Sequence, residues 1–138
     1  MIIVIRISGM VKIPRDVQET LYRIRLRRKY SATLLQDSAE TQALLMQVRN
    51  FVAYGQISRD MLEKLLEKRG KRTDKKSIDT DKLIQQIEKH GVRESGLKPF
   101  FRLHSPRGGI DSRIHFGTRK GVLGDNKEAI DALVERML

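Results

Sequence analysis

The sequence predicts an α+β protein: a β-α-β-α-β unit within the first 57 residues, followed by a helical, glycine-rich and basic extension. Two observations predict the fold. Short β-branched runs alternate with stretches whose apolar residues recur every three to four positions. Serines and glycines punctuate the junctions where helices should start and stop.

Ile2, Ile3, Val4, Ile5 and Ile7 form a β-branched run that reads as a buried strand. Gly9 and Pro14 bracket its exit, and Pro14 suits the first turn of a helix. Val17, Leu21 and Ile24 then mark an amphipathic helix over 15–27, and Ala32 to Leu35 a second strand. Ser38 is placed to cap a helix lined by Leu44, Leu45 and Val48. Phe51 to Tyr54 gives a third strand, closed by Gly55. Two helices over one face of a three-stranded sheet would leave the other face for a partner.

In the extension, Ser58 caps a helix carrying Met61, Leu62, Leu65 and Leu66, and Gly70 ends it. Residues 71–77 read as a polar linker. Asp79 or Thr80 opens a helix with Leu83, Ile84 and Ile87, with Gly91 just past its end. Residues 99–103 suggest a strand, and 104–124 a basic glycine-rich stretch with little periodicity. Asp125 is placed to cap a last helix, with Glu128 at the capping-box position. Ile130, Leu133, Val134 and Met137 are its buried stripe.

Apolar residues make up 39% of the chain and charged residues 33%, so a modest core under a highly charged surface is expected. The net charge of +11 favours a polyanionic partner. It is unevenly placed: residues 1–30 carry +6, 68–98 carry +5 and 99–120 carry +4, whereas 31–67 and 121–138 carry −2 each. Charge needed only for solubility would not cluster this way. With no cysteine, disulfides and thiolate metal sites are excluded. The apolar start is too short to span a bilayer, and no helix pairs a wide apolar face with a lysine-rich one. A soluble, intracellular protein with no cofactor is expected.

Three basic constellations are candidates for phosphate contact. The first is Arg23, Arg25, Arg27, Arg28 and Lys29, with Arg23 and Arg27 on one helical stripe. A plain solvated face, with Glu19 paired to Arg23, is the alternative. The second is Lys68, Arg69, Lys71, Arg72, Lys75 and Lys76, a loop suited to following a backbone but also readable as a solubilising loop. The third runs Phe100-Phe101-Arg102-Leu103-His104-Ser105-Pro106-Arg107-Gly108-Gly109, followed by Arg113, Arg119 and Lys120. Its glycines permit close approach of main chain to phosphate, and its arginines are bidentate donors. A disordered connector is the alternative there.

His104, Asp111 and His115 are the residues a metal-dependent nuclease would need, but their spacing matches no trusted ligand pattern. No nucleophile-elbow, phosphate-loop or paired-carboxylate signature appears, so no enzyme is expected. Aromatics are only 5% of residues, which argues against a stacking platform for single strands. No helix-turn-helix or zinc-finger pattern appears. What remains is recognition of folded RNA by charge and shape, with duplex DNA as the rival.

Three passages resemble the large-subunit ribosomal protein 30 family, called protein seven in eukaryotes. They are the opening strand into Ile13-Pro14-Arg15-Asp16-Val17, the passage Val48-Arg49-Asn50-Phe51-Val52-Ala53-Tyr54-Gly55, and Phe101-Arg102-Leu103-His104-Ser105-Pro106-Arg107-Gly108-Gly109 with Gly121 to Gly124 beyond it. The third is the most specific, although Ser105 stands where archaeal relatives are expected to carry proline. The resemblance implies a ferredoxin-like core in 1–57 and an archaeal- or eukaryotic-type extension, 58–138, packed on it. The long basic arm of eukaryotic members is absent, so the chain looks archaeal. It also implies binding to large-subunit rRNA, near the 5S rRNA and neighbouring ribosomal proteins, in the cytoplasmic ribosome.

Overall fold

The computed structural model describes residues 1–74, 77 and 79–138. Strand β1 (Ile2–Arg6) is buried throughout. Successive side chains point to opposite faces: Ile3 and Ile5 enter one apolar cluster, Ile2 and Val4 another. A strand covered on both sides reads as a continuous apolar run rather than an alternation. Each such side chain stabilises the fold by about 1.5–3 kcal/mol relative to exposure.

Helix α1 (Arg15–Arg23) leads to β2 (Ser31–Leu35), and α2 (Ala39–Val48) to β3 (Val52–Gln56). Both β2 and β3 pair antiparallel with β1 on either side. They therefore run parallel to each other, with α2 as the crossover. Val17, Leu21, Leu45 and Val48 pack beneath Ile2 and Val4. This is the ferredoxin-like β-α-β-α-β arrangement.

The extension adds α3 (Arg59–Arg69), α4 (Thr80–His90), β4 (Phe101–Arg102), β5 (Asp111–His115), β6 (Gly121–Asp125) and α5 (Ile130–Met137). Its strands enlarge the sheet to six, in the order β4-β2-β1-β3-β6-β5. β4 joins β2 antiparallel, while β6 joins β3 in parallel. Helices α3, α4 and α5 fill the second face, where Leu65, Leu66, Ile84, Ile87, Val134 and Met137 meet Ile3, Ile5 and Ile7. The face expected to stay open for a partner is thus occupied by the chain itself. Gly55 permits this contact, since a Cβ there would meet the Lys127 carbonyl and come within 2.9 Å of Ile130 Cβ.

Several local expectations hold. Ser38 Oγ accepts from the Thr41 amide at 3.2 Å, and Ser58 Oγ from the Met61 amide at 3.3 Å. Gly91 ends α4 at φ +82°.

Others are corrected. Helix α1 stops at Arg23, short of Arg27. Arg25 adopts φ +67°, its amide donates to the Tyr22 carbonyl, and the Leu26 amide reaches back to the Leu21 carbonyl at 2.9 Å. This left-handed terminating motif buries Leu26. Glu19 pairs with Arg15 (3.6 Å), not Arg23. The stretch 104–124 is not a bare loop but contains β5 and β6. Asp125 ends β6, and its carboxylate accepts from the Lys127 amide at 2.9 Å. A short 3-10 turn (Lys127–Ala129) then precedes α5, so Glu128 closes no capping box.

Candidate nucleic-acid interface

Strand registers fix which cations share a place. Arg6 lies opposite Val52, Ser31 opposite Arg102, and Gly121 precedes the Ala53–Gly124 pair in parallel register. The exit of β1, the starts of β2, β3 and β6, and the exit of β4 therefore lie at one end of the sheet.

Two grooves open there and share a wall. One, of about 380 Å³, is lined by Arg25, Arg27, Arg28, Ser31, Pro99, Phe100 and Arg102. The other, of about 310 Å³, is lined by Lys68, Arg69, Gly70, Lys71, Lys98, Phe100 and Arg102. Phe100 and Arg102 belong to both, so cations from three distant stretches of chain converge on β4. The β2–β4 pairing brings them together, reinforced by the Thr33 hydroxyl donating to the Pro99 carbonyl at 3.0 Å. Lys68 and Arg69 close the last turn of α3, where the helix dipole favours positive charge.

These cations are partly pre-positioned. The guanidinium of Arg102 sits 5.9 Å from the Phe100 ring centre, that of Arg27 5.5 Å from Tyr22, and the Lys29 ammonium 5.0 Å from Tyr30. Such contacts hold a cation in place without neutralising it. Arg27, Arg28, Lys29, Lys68, Lys71 and Arg102 are exposed, and Arg69 half-buried. Arg72 is turned to Asp74 (3.4 Å). Lys75 and Lys76 lie outside the described residues. Arg23 lies apart, in a shallow groove on α1 with Arg15 and Glu19.

The rest of the third constellation forms a separate concavity lined by Gly108, Gly109, Phe116, Arg119, Lys120 and Arg136. The Gly109 amide donates to the Pro106 carbonyl at 3.2 Å, making a tight turn in which Gly108 and Gly109 take positive φ. Glycine is required there by backbone conformation, and the space around both residues is open. Arg136 Nη2 donates to the Gly109 carbonyl at 2.6 Å and fixes the turn to α5. Arg107 is exposed beside it, and Arg113 is exposed on the edge strand β5.

His104 faces inward. Its Nδ1 lies 2.6 Å from the Ser105 carbonyl and its Nε2 2.7 Å from the Leu138 oxygen. Both ring nitrogens thus lie against main-chain oxygens, and His104 lines none of these three concavities. His115 Nε2 is paired with Asn50 Oδ1 at 3.0 Å. The imagined nuclease triad is therefore not assembled, and no group of three metal-ligating side chains gathers among the described residues. Nor is any helix there long and apolar enough to cross a membrane.

Lys98 lines the second groove although it belongs to none of the three basic constellations, and Phe100, at the head of the third, joins it there. Their signal was the spacing 98, 100, 102, which puts three side chains on one face of an extended segment.

Comparison with known proteins agrees with this architecture. The family model described as ribosomal protein L30p/L7e matches residues 2–52. A protein of Aeropyrum pernix named large ribosomal subunit protein uL30 is 38% identical, over 98% of this chain and 97% of its own. Proteins of the same name from Ignicoccus hospitalis (35%; 99% and 96%) and Pyrobaculum arsenaticum (32%; 98% and 93%) align equally fully. With such identity along nearly the whole of both chains, this chain belongs to the L30p/L7e family of ribosomal proteins.

Proposed function

We propose that the chain is a structural constituent of the large ribosomal subunit, in the cytoplasmic ribosome, that binds folded rRNA through the basic end of its sheet and catalyses no reaction. One observation carries this reading: cations of residues 25–28, 68–71 and 98–102 line two grooves that meet at Arg102. Arg102, Arg27, Arg28, Lys68, Arg69 and Lys71 are the principal phosphate contacts. Lys29, the Arg107-Gly108-Gly109 turn, Arg119 and Lys120 extend the surface, and Arg23 and Arg113 stand at its margins. Phosphate contact positions the protein without reading bases, as fits an architectural role.

In this reading residues 1–57 are the core unit and 58–138 the extension, which supplies the whole lining of the second groove and Pro99, Phe100 and Arg102 of the first. The partners are large-subunit rRNA, in the vicinity of the 5S rRNA, and adjoining ribosomal proteins. Sedimentation of a lysate through a high-salt sucrose gradient tests the assignment. The protein should travel with the large subunit, and release to the top of the gradient would overturn it. Competition separates RNA from duplex DNA: a folded rRNA fragment should displace the protein from duplex DNA at equal phosphate concentration.

A further inference from the structure

The loop between β1 and α1 carries Met10 and Val11 into solvent, 50% and 82% exposed. Val11 is the most exposed large apolar side chain among the described residues. The stem of this loop is fixed from within. Arg6, fully buried at the end of the central strand, donates from Nε to the Ser8 carbonyl (3.1 Å) and from Nη2 to the Gly9 carbonyl (3.0 Å). Its Nη1 donates to the Leu26 carbonyl at 2.7 Å. One guanidinium therefore ties the loop to the turn that carries Arg25, Arg27 and Arg28. The Ile7 and Ser8 amides add bonds to the Phe51 carbonyl, both at 3.1 Å.

The stem is held firmly, and the apolar side chains of Met10 and Val11 stand directly beyond it. β1 is third in the sheet order, so the tip rises from the basic end with the grooves at β4 on one side and Arg119 and Lys120, before β6, on the other. Two side chains are far too small for a stable protein interface, which takes roughly 800 Å² from each partner. Flanked by cations, they are matched instead by a polyanion that offers apolar surface at a point. An unstacked base in folded RNA is such a surface, and apolar side chains wedge against bases in other nucleic-acid complexes.

The geometry points to Met10 and Val11 as a pinned apolar wedge that packs on an unstacked base of the bound RNA, while the surrounding arginines hold phosphates. The inference rests on the RNA-binding reading above and deepens it: the protein selects irregular RNA, not duplex alone.

Two measurements on the full chain test it. Met10→Ala combined with Val11→Ala should lower affinity for a large-subunit rRNA fragment about tenfold, the scale of burying such side chains. The salt slope should stay unchanged, because no charge is lost. A diazirine side chain placed at position 11, in reconstituted large subunits, should cross-link to a base in a loop or bulge. Unchanged affinity, a cross-link to a ribosomal protein, or no cross-link overturns the wedge. Absence of salt-dependent RNA binding by the unaltered protein would instead overturn the reading beneath it.

Discussion

Neutralising Arg27, Arg28 and Arg102 together, each to Gln, strikes the point where the two basic grooves meet. All three are exposed, so the fold should survive. Each phosphate contact contributes about 0.7–0.9 to the slope of log affinity against log salt, so the triple variant should lose about 2.1–2.7 from that slope. Doubling the salt from about 0.1 to 0.2 M should therefore cost the unaltered protein about four- to sixfold more affinity than the variant. Fluorescence anisotropy with a labelled large-subunit rRNA fragment reads this directly. The control is Arg59→Gln with Lys64→Gln on α3, cations already paired to Glu63 (3.7 Å) and Glu135 (3.6 Å). Those changes also reduce net charge but should leave the slope where it was. If the triple variant keeps the original slope, the grooves are not the interface, and if the control pair lowers it as much per charge, affinity follows overall charge rather than these grooves.

Three further substitutions probe the frame that holds the site. Arg6→Met leaves the buried Leu26 carbonyl without its donor, which should cost about 1–3 kcal/mol and lower the urea midpoint at neutral pH; an unchanged midpoint would mean the carbonyl finds another partner. Gly55→Ala overpacks the contact with α5 and should cost about 1–3 kcal/mol in thermal melts, whereas a neutral result would show that α5 can slide. The Tyr54 phenol is pushed above its usual 10.0, chiefly by burial and secondarily by Asp125, against an opposing effect of Arg49. A raised value favours the neutral phenol in the fold, so its contribution is intact below pH 10 and is lost as pH rises through the folded value. Tyr54→Phe should thus match the parent near pH 7 and lose less stability above pH 10; parallel alkaline limbs would contradict the shift.

The core was legible because burial leaves a periodic trace. The run Ile2 to Ile7 announces a strand covered on both faces, and Ser38 and Ser58 mark helix starts by their side-chain chemistry. The end of α1 was illegible because an arginine, not a glycine, takes the left-handed position at Arg25. β5 and β6 were hidden because Asp111–His115 is mostly polar and β6 contains Gly121 and Gly124. Gly121 is demanded by its close approach to the Ile114 and His115 carbonyls, not by a turn. Apart from Lys98, the cations of the site were visible in the basic constellations, but their convergence was not. It depends on β4 pairing with β2, a contact between residues some seventy positions apart, which no local pattern encodes. His104 shows the converse: a residue inside a basic string whose ring packs against the protein's own main chain.

The flanking strands also set a schedule for folding. The two flanks of the early three-stranded unit are sealed by β4 and β6, which come much later in the chain. Gly121 comes sixty-five positions after Gln56. At synthesis rates of about 5–20 residues per second, roughly 3–13 s pass between completion of β3 and arrival of its partner. For that interval β2 and β3 offer unpaired hydrogen-bonding edges, the template on which strands of another copy can add. The late strands thus act as sheaths for the early ones, and a nascent chain stalled before residue 101 is left with both edges bare.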